Sequence, residues 1–155
     1  MDPRLKKFVE RRRVGVGRRI NEKFLDAYLT LDTVCGDKFG VAGGGVTEYI
    51  NRLNEARFAE GRDNVLPKLV RYRAVRNRFA HEVGALRNVD ELSGADVRWL
   101  KGFLRDINRK RDPISLYVKK ARRYARQKKL RRALYALGGV AIAALAVALF
   151  IVLKG

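Results

Sequence analysis

Residues 76–81 read RNRFAH and hold the only histidine of the chain. On a helix, Asn77 and His81 are four residues apart and share a face. Arg76 starts about 140° round the helix from His81, but its long side chain can curl toward the same region. An imidazole, an amide and a guanidinium could then meet one substrate. Histidine moves protons near neutral pH, to or from a ribose 2′-hydroxyl or a leaving oxygen. Arginine forms paired hydrogen bonds to phosphate oxygens and stabilises charge that develops there. Asparagine can orient either the arginine or the phosphate. The set suits phosphodiester chemistry and requires neither a metal nor a cofactor. Arg73 and Arg78 flank it and are candidates for holding an RNA backbone.

These residues need a rigid carrier. The chain has 155 residues, enough for one ordinary domain and an appendage. Ile20, Phe24, Ala27, Leu31 and Val34 follow the spacing of one apolar helix face. That helix could begin near Pro3, although Gly15 and Gly17 interrupt its start. The stretch CGDKFGVAGGG (35–45) reads as a glycine-rich loop; it lacks the Gly-Lys-Ser/Thr ending of a phosphate cradle. Thr47 can cap a second helix through Tyr49, Ile50 and Leu53. Asp63 or Asn64 can cap a third, with Pro67 in its first turn. The third helix would carry Leu66, Leu69, Val70, Val75 and Phe79, contain RNRFAH, and end by Gly84. Ser93 with Asp96 resembles a capping box opening a fourth helix, in which Val97, Leu100, Leu104 and Ile107 mark one face. Asp112-Pro113 reads as an N-cap and first-turn proline for a last helix. No strand-like alternation of useful length appears. The pattern predicts an all-α fold built as a helical bundle.

With the helices in place, LVRYRAVRNRFAHE (69–82) closely resembles the third helix of HEPN domains. Their signature is an arginine, a polar residue, a few further residues and a histidine. The resemblance implies an up-and-down helical bundle over roughly 20–112 that pairs as a homodimer, with two motif helices sharing one cleft. Catalytic members are metal-independent ribonucleases in which a 2′-hydroxyl attacks the adjacent phosphate and leaves a 2′,3′-cyclic end. By position, Arg76 would stabilise the phosphate, Asn77 would support it, and His81 would act as acid or base. Other members keep the fold without nuclease activity, so a module that binds RNA, nucleotide or a protein partner is the second reading. A third is a structural protein with His81 packed in its core.

The formal net charge is +19. Nine Lys/Arg fall in 119–132, which has no acid, and eight in 1–19. Basic ends of this kind attract polyanions, either nucleic acid or anionic lipid. Residues 133–153, ALYALGGVAIAALAVALFIVL, contain no charge and would span about 31 Å as a helix. The sequence therefore predicts a bundle over 1–112, a basic juxtamembrane helix over 113–132 and a transmembrane helix over 133–153. The positive-inside rule would place the N-terminal domain in the cytoplasm, with 119–132 at anionic lipid. No aromatic-and-basic stripe typical of single-strand platforms is evident. Cys35 is the only cysteine, which excludes an intrachain disulfide, and its place beside Gly36 favours a buried, inert thiol.

Overall fold

The structure is a computed structural model that describes residues 3–82, 84–88 and 91–154. Side chains are described from 15 to 139, apart from 83 and 87–90, and at 142, 153 and 154. Among the described residues six helices follow one another: α1 Pro3–Phe39, α2 Gly45–Glu55, α3 Arg62–His81, the short α4 Ala85–Asn88, α5 Gly94–Asn108 and α6 Pro113–Lys154. No strand occurs among the described residues. The chain divides into two compact units, Met1–Tyr117 and Val118–Gly155.

In the first unit α1 is the spine, packed against α2, α4 and α5. Its buried face holds Phe24, Ala27, Tyr28, Leu31 and Cys35. Phe24 meets Tyr72 and Phe79 of α3 edge-on, with ring centroids 5.4 and 6.1 Å apart. Such contacts add about 1 kcal/mol each beyond area burial and fix which side of α3 faces the core.

The sequence reading placed a loop at 35–45, yet α1 runs through to Phe39 and only 40–44 turn. The helix ends in a Schellman motif: Gly40 has φ +71°, and the Val41 N–H donates to the Gly36 carbonyl at 3.0 Å. Nor does Thr47 cap α2, because the helix already starts at Gly45. Its cap comes from α1 instead, where Asp32 Oδ1 accepts from the Val46 N–H at 2.8 Å. Gly45 lets the two backbones touch. A Cβ there would lie 2.1 Å from the Asp32 carbonyl oxygen and 2.3 Å from the Gly36 nitrogen. Gly45→Ala is therefore expected to lower stability by about 3 kcal/mol or more, read as a fall in the urea midpoint.

Asp63 and Asn64 lie inside α3 rather than capping it, since Gly61 is the N-cap with φ +79°. Of the apolar residues that α3 carries, Leu69 and Val75 are buried and Val70 is 41% exposed. At α5 the Asp96 carboxylate accepts from both the backbone and the hydroxyl of Ser93, at 2.8 and 2.7 Å, which is the expected capping box. Asp112 caps α6, accepting from the Ser115 N–H at 3.2 Å.

Residues 133–153 lie on α6, but among the described residues no helix is long and apolar enough to cross a membrane. The side chains described on α6 are dominated by the charged stretch 119–132. The side chains of 140, 141 and 143–152, most of the expected span, lie outside the described residues. The expected transmembrane helix is corrected accordingly, and with it the single-pass membrane localisation and the cytoplasmic orientation deduced from it.

Candidate functional site

α3 is held from one side by polar contacts to the start of α5. Arg71 donates to Asp96 Oδ1 at 3.2 Å and to the Glu91 carbonyl at 2.6 Å, and the Tyr72 hydroxyl donates to Asp96 Oδ1 at 2.8 Å. Burial opposes ionisation of Asp96, but hydrogen bonds from Ser93 and Tyr72 and the charge of Arg71 outweigh it and lower its pKa. With Tyr72 and Val75 buried, the opposite side of α3 faces outward.

That outward side is a ridge of Val70, Ala74, Asn77 and His81, at spacings i, i+4, i+7 and i+11, all exposed. His81 is the last residue of the helix, and Glu82 follows as its C-cap. The core-packed histidine considered from sequence is thus overturned. Arg76 is half-buried along the edge of the ridge, and its Nη1 donates to Asn77 Oδ1 at 3.4 Å. Arg73 is half-buried one turn earlier. Both guanidinium groups act on Tyr28 of α1. Burial pushes that phenol well above its ordinary value and Asp32 adds to the rise, while Arg76 and Arg73 pull it back. Neither arginine is ion-paired with a carboxylate among the described residues.

The flanking arginines differ in availability. Arg73 lies beside the motif without a carboxylate, whereas Arg78 is forked onto both oxygens of Glu91. The hydrogen bond from Arg78 holds the Glu91 carboxyl below its usual range. Sequence reading could not separate the two, because Glu91 lies 13 residues away across a turn. If the motif holds RNA, Arg78→Ala is expected to change the affinity by less than about twofold in a titration with labelled RNA, since a neutralised guanidinium adds little counterion release. A larger loss would return Arg78 to the candidate interface.

A shallow cavity of about 450 Å³ opens next to the ridge, lined by Arg18, Glu22, Phe79, Glu82, Ala85 and Leu86 among others. It contains none of Arg76, Asn77 and His81. The trio instead stands on an open surface, where it can meet a substrate or a second copy. What sequence reading missed is the apolar part of this surface, Val70 and Ala74; their spacing to Asn77 and His81 was a usable signal. Cys35 is fully buried, and burial pushes its thiol up to about 12, partly offset by Lys38. It is no nucleophile at ordinary pH.

A helical bundle that presents an arginine, an amide and an imidazole on one exposed helix defines the class of site. The chain belongs to the family of unknown function DUF6548, whose model matches residues 22–136. That span takes in the whole RNRFAH ridge and the basic stretch of α6. No curated protein and no solved structure matches the chain.

Proposed function

We propose that the chain is a metal-independent endoribonuclease that works as a dimer. The observation that carries this reading is the joint exposure of Asn77 and His81 on one ridge of α3, with Arg76 tied to Asn77 at its edge. The ribose 2′-oxygen attacks the adjacent phosphorus, the bond from phosphorus to the 5′-oxygen breaks, and a 2′,3′-cyclic phosphate and a 5′-hydroxyl result. His81 takes the 2′-hydroxyl proton or supplies one to the leaving 5′-oxygen. Arg76 offsets the charge that grows on the phosphate oxygens. Asn77 fixes the arginine, and Arg73 meets a neighbouring phosphate.

Pairing completes the site in this reading. Val70 and Ala74 offer a small apolar strip beside Asn77 and His81. A second copy docked on that strip would bring two His81 side chains to one cleft and shield the reacting phosphate from water, so that one imidazole serves as base and the other as acid. The test is incubation of the protein with labelled single-stranded RNA in excess EDTA. The expected products carry 2′,3′-cyclic ends. Folded, dimeric protein that binds RNA and leaves it intact would instead make this a non-catalytic RNA-binding module.

A further inference from the structure

The basic stretch 119–132 belongs to the second unit, Val118–Gly155, and every side chain from 118 to 139 is exposed. Its helix carries like charges at neighbouring positions, for example Lys119 with Arg123, Arg122 with Arg126, and Lys128 with Arg132. Pairs at that spacing repel and destabilise a helix. No acidic residue in the stretch relieves them. A helix of this composition, exposed along its basic stretch, gains stability from a bound polyanion.

Two features indicate which polyanion. First, the cations project round the whole circumference: at 100° per residue, 119, 120, 123, 126, 128, 129, 131 and 132 leave no arc wider than about 60° uncharged. A helix built to lie on a lipid surface separates a charged face from an apolar one. Second, Tyr124, Lys128, Arg131 and Tyr135 fall at i, i+4, i+7 and i+11, a single strip with two cations between two rings. Tyr124 is 69% and Tyr135 79% exposed. Leu130, Leu134 and Leu137 lie about 120° round the helix from this strip. Exposed rings beside cations form the kind of surface on which unpaired bases stack while phosphates are neutralised. This strip corrects the reading that no aromatic-and-basic stripe is present: one continuous helix from Pro113 to Lys154 puts the two tyrosines, eleven residues apart, on one face.

We propose that residues 119–135 of α6 form a single-stranded RNA-binding arm, with Lys and Arg on phosphates and Tyr124 and Tyr135 on bases. Taking RNA as the polyanion rests on the nuclease reading, and the arm would supply that site with substrate. The test uses the full chain carrying His81→Ala to prevent turnover, with labelled single-stranded RNA titrated across a salt series. Replacing Arg122, Arg123, Arg126 and Arg131 together by Gln is expected to flatten the slope of log K against log salt by up to about 2.8. Tyr124→Ala with Tyr135→Ala keeps all the charge and is expected to weaken binding by about tenfold per ring. Helix content is followed by circular dichroism in both variants.

Unchanged affinity and slope in the two variants would overturn the arm. So would binding of the stretch to vesicles of anionic phospholipid without affinity for RNA. Cleavage by the unsubstituted chain is scored in parallel, which separates the two readings. RNA held through the arm but never cut removes the nuclease and leaves the arm. RNA cut with binding indifferent to the arm removes the arm alone.

Discussion

His81→Ala is expected to reduce RNA cleavage by about 10²- to 10⁴-fold while leaving the fold intact. The imidazole is exposed at the last position of α3, so its removal opens no cavity and strands no buried partner. Thermal unfolding of the variant should therefore overlay that of the parent chain. Arg76→Ala should lose cleavage to a similar degree, because charge growing on the phosphate oxygens would have no guanidinium to meet it. Arg76→Lys should recover only part of the activity, since an ammonium keeps the charge and loses the paired geometry. Asn77→Ala should have the smallest effect of the three, as its contact to Arg76 is long at 3.4 Å. Single-turnover rates on one RNA, read as cyclic-ended product, separate these outcomes. Full activity in His81→Ala would remove His81 from the chemistry and the ribonuclease reading with it.

Local signals in the sequence were legible where the structure uses them locally. The Ser93–Asp96 box and the Asp112-Pro113 start involve neighbours within three residues, and both stand. The four-residue spacing of Asn77 and His81 placed them on one face, and that face is exposed. The failures were long-range. The glycines at 36, 40 and 43–45 suggested a loop, but Lys38 extends the helix by reaching Asp112, 74 residues away. Gly45 is needed for two helices to touch, and Gly36 for the turn after α1 to fold back on it, where a Cβ would lie 2.8 Å from the Val41 carbonyl oxygen; no one-dimensional pattern reveals either. Val70 fitted an apolar face by composition and turned outward because Tyr72 and Val75 took the core side. Arg78 looked equivalent to Arg73 until Glu91 came beside it. The apolar run at the C-terminus predicted a membrane span from hydropathy alone, whereas the described part of its helix is set by the charged stretch before it.

The contact that joins the end of α1 to the start of α6 leads to the second large effect. Asp112 has a fully buried side chain, and its Oδ2 accepts from Lys38 Nζ and from the Tyr49 hydroxyl, both at 2.7 Å. Oδ1 has no hydrogen-bond partner among the described residues, so ionisation of the group depends on the donors at Oδ2. Burial alone would raise its pKa. The hydrogen bonds from Lys38, Ser115 and Tyr49 and the charge of Lys38 outweigh it, and the pKa is held below the usual carboxylate value. A carboxyl with a lower pKa in the folded chain binds fewer protons there than in the unfolded chain. Its stabilisation is then complete above the ordinary aspartate value of about 3.9 and fades as pH falls through the lower, folded value. Asp112→Asn leaves Lys38 beside a neutral amide and is expected to lower stability at pH 7 by about 3 kcal/mol. Asp112→Ala should be worse by about 1 kcal/mol more, because the N-cap of α6 goes with it. Urea unfolding at pH 7 and again near pH 3 tests the sign. The gap between parent and Asp112→Asn should be wide at pH 7 and should shrink in acid, as the parent loses what the variant never had. A gap that stays constant with pH would mean that the Asp112 carboxylate is not what joins these two helices.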